Sequence, residues 1–274
     1  MSSRFTHAIV CRVPDSINKA IGVENPIDLA KCRRQHEAYV QALRDAGLDV
    51  IELPADEQQP DCTFVEDTAV VCNGIALLCR PQPPSRRQEV KYMKSILQKE
   101  LNLPVMEISD ESATLEGGDV LFTGREFFVG LSERSSRSGA VALANAFPEF
   151  PCSPVKVDGA LHLKSLLTMA GPDVICVAKD KHAQEVLKRI ESCASFTYKT
   201  VTVDDICAAN CVYANGTLLH RAASELPESA KVITSKLGHL KLRGLEFSEL
   251  QKADGSLTCC SILVSQPKHL RSLS

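Results

Sequence analysis

At 274 residues, 44% of them hydrophobic, the chain is long enough to bury one large core or two small ones. Charged residues make up 24% and balance to a formal net charge of −3, so no broad basic face is available for nucleic acid, and the short runs Lys31–Arg34 and Arg86–Arg87 read as solvated surface. No stretch approaches the roughly 20 apolar residues that span a bilayer, and MSSRFTHAIVCRVP lacks the apolar segment of a signal peptide.

These features predict a cytoplasmic chain. Its twelve cysteines, irregularly spaced, are then expected to be mostly buried free thiols rather than a disulfide framework.

Along the chain, a first apolar run (7–13) leads into a helical pattern over 27–46, bracketed by Pro26 and Gly47, and then the strand-like DVIELP. Apolar hairpins follow at 69–80, 119–131, 167–178 and 212–221, with turns at Asn73-Gly74, Thr123-Gly124, Gly171-Pro172 and Asn215-Gly216. Helical spacing fills the gaps at 86–101, 136–147, 182–193 and 228–237, with short strands such as LPVMEIS and SPVKVD after it. The run SLTCCSILV (256–264) reads as another hairpin.

The heads of these units, Asp67, Asp119, Thr168, Cys211 and Cys259, are separated by 52, 49, 43 and 48 residues. A loose repeat of this length predicts a circular, propeller-like array of βαβ-type modules. The last apolar run is then expected to pair with the first, closing the ring and removing open sheet edges. No linker composition interrupts the pattern, which predicts one catalytic-size domain over 1–274. An ordinary open α/β sheet is the alternative that spacing leaves standing.

Acids gather at the mouths of strands. Asp61, Glu66 and Asp67 lie in PDCTFVEDTAVV, Glu116 and Asp119 in SATLEGGDVLF, and Asp204-Asp205 before Ile206. Such acids are often solubilising. Flanked by apolar residues, however, an unpaired Glu66 or Asp67 would be costly to bury, and a cationic ligand would relieve that cost. Gly117-Gly118 reads as backbone that something approaches closely, or as a tight turn.

Cys259-Cys260 supplies a candidate nucleophile. A thiol near its ordinary pKa of about 8.5 needs help from a nearby cation, and on a strand only one of two neighbours can face a site. His162, at the entry to an apolar strand, is on its own more often structural. Cys207, Cys211 and His220 form only a weak zinc pattern.

Together the stretches ELPADEQQPDCTFVEDTAVV, RPQPPSRRQEV, SATLEGGDVLFTGREFFVGLSER, LHLKSLLTMAGP and ADGSLTCCSILV resemble dimethylarginine dimethylaminohydrolases of the animal type, within the wider group of guanidino-modifying enzymes. The resemblance implies a five-bladed pseudosymmetric α/β propeller of ββαβ-type repeats. It also implies Cys259 as nucleophile, His162 as general acid/base and Glu116 as the carboxylate beside it. Asp61, Glu66 and Asp67 match the substrate-binding acids, and Arg86 and Arg134 the arginines that hold the substrate's α-carboxylate. Ile21 and Ala253 match backbone contacts.

The activity implied by the resemblance is hydrolysis of methylated arginine, a small-molecule substrate, to citrulline with no cofactor, and a closed ring with no spare edge is compatible with a monomer. Zinc is expected only as an inhibitor captured by Cys259 and His162. The family's link to nitric-oxide control would make the protein a scavenger of inhibitory methylarginines. The alternatives are an arginine deiminase or amidinotransferase using the same cysteine, and a catalytically silent regulatory binding protein.

Overall fold

The computed structural model describes residues 4–265, so residues 1–3 and 266–274 of the expected domain lie outside the described part. The chain opens with β1 (His7–Cys11), α1 (Leu29–Asp45) and β2 (Asp49–Leu53). Four units of strand, strand, helix, strand follow. They are β3 (Ala69–Cys72), β4 (Ile75–Leu78), α2 (Arg87–Lys99) and β5 (Val105–Glu107), then β6 (Val120–Phe122), β7 (Phe127–Leu131), α3 (Arg137–Ala146) and β8 (Cys152–Lys156). Next come β9 (Leu167–Gly171), β10 (Val174–Ala178), α4 (Lys181–Cys193) and β11 (Lys199–Val203), and finally β12 (Val212–Ala214), β13 (Thr217–Arg221), α5 (Pro227–Leu237) and β14 (Lys241–Leu245). The last strand, β15 (Ile262–Val264), pairs antiparallel with β1 through Ala8↔Leu263.

The result is five three-stranded sheets, each with an antiparallel inner pair and a parallel outer strand reached through a helix. This is the expected five-bladed α/β propeller. Pairing of the last run with the first is borne out, since β15 completes the blade of β1 and β2. Loss of sheet edges is not. The five sheets are separate, and among the described residues the outer strand of each keeps one side without a strand partner.

Local chemistry explains the elements. Asn73 and Asn215 (φ 48° and 51°) precede Gly74 and Gly216 (φ 73° and 86°), supplying the left-handed pair that a two-residue hairpin turn requires. α1, α3 and α4 start where a side chain accepts an otherwise unpaired N–H. Asp28 does so for Lys31, Ser136 for Gly139 and Asp180 for His182. α4 turns Ala183, Val186, Leu187 and Ile190 onto its blade, and each larger apolar side chain buried this way contributes about 1.5–3 kcal/mol.

SLTCCSILV is not a hairpin. Thr258–Cys260 forms a 3-10 turn and only Ile262–Val264 is strand, so Cys259 and Cys260 diverge by turn geometry and not by strand alternation. That turn has four counterparts, Val65–Thr68, Gly117–Asp119, Leu163–Ser165 and Ile206–Ala208, each leading into an inner strand. The propeller thereby presents a set of short turns at one end of its inner strands.

Candidate active site

Four of these turns carry the predicted chemistry. Glu66 and Asp67 lie within the first, Glu116 directly precedes the second, His162 the third, and Cys259 lies within the last. Packing around the turns is close enough to explain the paired glycines. A Cβ on Gly117 would stand 1.9 Å from the Glu66 carbonyl oxygen, and one on Gly118 would stand 2.6 Å from His162 Nδ1. The turn that follows His162 is anchored by Asp119, which is fully buried and accepts from Leu163 N at 2.9 Å and from Ser132 Oγ at 2.7 Å.

His162 Nε2 lies 2.7 Å from Glu116 Oε2 and 3.9 Å from Asp67 Oδ1, with all three side chains almost wholly buried. Burial alone would depress the imidazolium, but Asp67 and the hydrogen bond to Glu116 outweigh it and raise its pKa to about 9. Asp67, despite its burial, is held down to about 2 by His162 and Arg86. Together, Asp67, Glu116 and His162 place donor atoms within 4.8 Å of one another, the only such metal-capable group among the described residues. Cys207, Cys211 and His220 form none.

Cys259 is half-buried, and its sulfur accepts from Ser256 N at 3.4 Å. Its pKa is pushed far up by burial and by the carboxylates of Glu66 and Asp67. Cys260 is fully buried in the apolar core and is shut off from solvent.

Glu66 is occupied from behind. Lys164 Nζ sits 2.5 Å from Oε1, and Thr258 Oγ1 donates to Oε2 at 2.9 Å. Beyond this pair lies a cavity of about 620 Å³ walled by the five inner strands. Neither His162, Glu116, Asp67 nor Cys259 lines it, so this void and the carboxylate–histidine cluster are different places.

At the outer end, Asp61 Oδ1 accepts from the backbone N of Ile21 at 3.1 Å, while the Ile21 side chain is exposed. Burial raises the Asp61 pKa. Ala253 is buried at the end of a 3-10 turn and precedes Asp254 in the left-handed region, φ 55°. Arg134 reaches Glu116 Oε1 at 3.7 Å.

Arg86 departs from its expected availability. It is buried and committed to Asp67 Oδ2 (2.7 Å), both oxygens of Glu89 (2.8 and 3.3 Å) and the carbonyl of Phe64 (2.9 Å). Asp204 and Asp205 do not join the cluster. They pair instead with Lys179 and Ser229.

Sequence reasoning missed Lys164, Glu89 and the anchoring role of Asp119. Glu89 could have been found from its i,i+3 spacing to Arg86 at a helix start. Lys164 carries no local signal beyond lying two residues from His162.

Fold and site together define a five-bladed α/β propeller whose candidate reactive centre is a buried carboxylate–histidine cluster, with a half-buried cysteine on a further turn of the same set. The family model described as "N,N dimethylarginine dimethylhydrolase, eukaryotic" matches residues 2–207, and the chain belongs to this family. It is 37% identical to the human protein named "Putative hydrolase DDAH2", over 97% of this chain and 96% of that one. It is 28% identical to the N(G),N(G)-dimethylarginine dimethylaminohydrolase of Pseudomonas aeruginosa, over 86% and 89%. The structure of a Pseudomonas aeruginosa relative in complex with citrulline superposes with a TM-score of 0.81 at 26% identity, covering 95% of this chain and 99% of that one.

Proposed function

We propose that the chain is a hydrolase acting on a C–N bond, converting Nω-methylated arginines to citrulline and dimethylamine or methylamine through a covalent intermediate on Cys259. Family membership supports the reaction class, and the site chemistry supports the roles. The carrying observation is the His162 imidazolium, held cationic by Asp67 and Glu116, with Asp67 on the turn that packs against that of Cys259.

In this reading the substrate guanidinium is received by Asp67 and oriented by charge-assisted hydrogen bonds. Asp61 and the backbone at Ile21 and Ala253 face its amino end, and Arg134 and Arg86 its carboxylate. Glu66 contributes negative charge near Cys259, its oxygens already held by Lys164 and Thr258.

A bound guanidinium offsets the carboxylates that keep Cys259 protonated, the thiol proton passes to solvent, and the thiolate attacks the central carbon. The tetrahedral adduct collapses as His162 gives its proton to the departing amine. Neutral His162 then takes a proton from water, hydroxide adds to the amidine-like carbon, and the sulfur leaves as citrulline is released. These residues perform each step without a cofactor. Zinc added in excess would occupy Cys259 and His162, and a chelator would restore turnover.

No helix among the described residues is long and apolar enough to cross a membrane. All twelve cysteines are free, which supports a reducing, cytoplasmic setting. A monomer clearing methylarginines that inhibit nitric-oxide synthesis is the corresponding physiological reading.

The test is citrulline formation from asymmetric dimethylarginine and, in parallel, from arginine, for wild type and Cys259→Ser. Product from the methylated substrate alone, abolished in the variant, is expected. Turnover of arginine instead would make the protein a deiminase, and no product from either would leave a silent binding protein.

A further inference from the structure

Arg86 ends a short 3-10 helix (Pro84–Arg86), and Glu89 lies in the first turn of α2, three residues on. Their side chains are 6% and 5% exposed. The contact is two-pronged, Nη2 to Oε2 at 2.8 Å and Nε to Oε1 at 3.3 Å, the planar fork of a guanidinium meeting a carboxylate. Of the five N–H groups of Arg86, two go to Glu89, one to Asp67 and one to the Phe64 carbonyl, so a single N–H is left over. Asp67 in turn accepts from Gly118 N at 3.0 Å and lies 3.9 Å from His162. A chain of contacts thus runs Glu89, Arg86, Asp67, His162.

One carboxylate is enough to neutralise Arg86, and Asp67 supplies it. Bringing a second acid out of water is costly unless it does something that the first cannot. What Glu89 adds is orientation. Gripped on Nε and Nη2, the guanidinium cannot rotate about its terminal bonds, and its Nη1 edge stays aimed at Asp67. The groups facing Glu89 are Arg86 from its own segment, Asp61 and Asp67 from the preceding loop and turn, and Cys11 of β1 and Cys62 beyond them.

We infer that Glu89 is a positioning residue that locks Arg86 onto Asp67, and so sets the field that Asp67 imposes on His162. The inference rests on the proposed hydrolase reading for its kinetic consequence, but its electrostatic consequence exists without substrate. It also narrows the part of Arg86 in recognition. With one N–H free, Arg86 offers a substrate carboxylate charge and one hydrogen bond, leaving the two-pronged grip to Arg134.

The test uses Glu89→Gln, close in shape, and Glu89→Asp, which keeps the charge but shortens the reach. His162 is titrated by imidazole NMR in the full chain, and ureido-product formation is followed, citrulline from asymmetric dimethylarginine and carbamoylputrescine from its analogue lacking the α-carboxylate. In Glu89→Gln the His162 midpoint is expected to fall measurably below that of wild type, because Arg86, freed from Glu89, neutralises Asp67 further or lets it shift. The turnover number should drop about tenfold with both substrates while KM moves less than threefold, and Glu89→Asp should lie between.

An unchanged His162 midpoint in either folded variant overturns the inference and leaves Glu89 as a helix-start residue. So does a loss confined to the KM of the carboxylate-bearing substrate, which would show Glu89 tuning carboxylate binding. If wild type makes no citrulline, the hydrolase reading fails while the His162 titration still decides the role of Glu89.

Discussion

Replacing Gly118 by alanine isolates what the histidine's position is worth. The new Cβ would lie 2.6, 2.7 and 3.0 Å from Nδ1, Cγ and Cε1 of His162. Non-bonded heavy atoms settle near about 3.5 Å, so the ring must retreat by roughly 1 Å. It is buried and tied to Glu116 at 2.7 Å, and a retreat of that size stretches this bond past useful length. Misplacement by about 1 Å can cost on the order of a hundredfold in rate, or about 2.7 kcal/mol of transition-state stabilisation. The N–H that Gly118 donates to Asp67 survives in alanine, and φ at this position is not in the left-handed region, so the ring displacement is the main perturbation. Citrulline assays below the melting temperature should show kcat/KM down about a hundredfold. Gly124→Ala is the matched control. At φ 90° with nothing within 4 Å of its Cβ, it should lose about 1–2 kcal/mol of stability and keep its turnover. A Gly118→Ala enzyme within threefold of wild type would refute the idea that His162 is held in place against this glycine.

Burial and charge set two further outcomes. His162 has a folded pKa of about 9, above the unfolded value of about 6.5. The stability it contributes, on the order of 3 kcal/mol at most, is therefore fully present below pH 6.5 and lost as pH rises through 9. Urea midpoints of wild type and His162→Gln should converge across that window, and parallel curves would contradict the assignment. The ratio kcat/KM should also fall above about pH 9, where the free enzyme has lost the proton for the departing amine. Glu126, fully buried, accepts from Ser195 N, Phe196 N and Tyr198 OH. Glu126→Gln turns an NH2 toward those donors and should cost about 2–3 kcal/mol in chemical denaturation with kcat unchanged, whereas a kcat loss in the folded variant would place this acid in the catalytic network.

Much of the fold was legible because it is written locally. Asn-Gly pairs name their turns, Asp28, Ser136 and Asp180 name helix starts, and helical spacing in α4 names its buried face. The site's acids were legible for a different reason, since Glu66 and Asp67 lie among apolar neighbours where charge needs an explanation. What stayed hidden depends on one blade approaching another. Glu126 looks like a solubilising turn residue in FTGREFFVG, yet it is buried because a loop some 70 residues later brings three donors to it. SLTCCSILV alternates like a strand, but Cys259 N bonds to the Ser256 carbonyl and Ser261 N to that of Thr258, winding the segment into a turn that no propensity demands. Asp119 reads from sequence as the head of a repeat and one of the strand-mouth acids, not as an anchor, because its work, holding Leu163 N, is done 44 residues away.

Asp67 places opposite demands on the two reactive groups. Its negative charge raises the pKa of His162, which suits an acid that must keep its proton, and raises that of Cys259, which does not suit a nucleophile. In the resting site the histidine is therefore cationic and the cysteine is still a thiol. In the proposed reaction, a guanidinium settling on Asp67 would reverse both effects together. Offsetting the carboxylate eases loss of the thiol proton, while placing a second cation near the imidazolium makes it a stronger acid toward the leaving amine. The substrate's charge thus completes a site that is electrostatically unfinished without it. Citrulline, which is neutral, cannot do the same. Once the neutral ureido product has formed, the carboxylates again favour the thiol and the imidazolium.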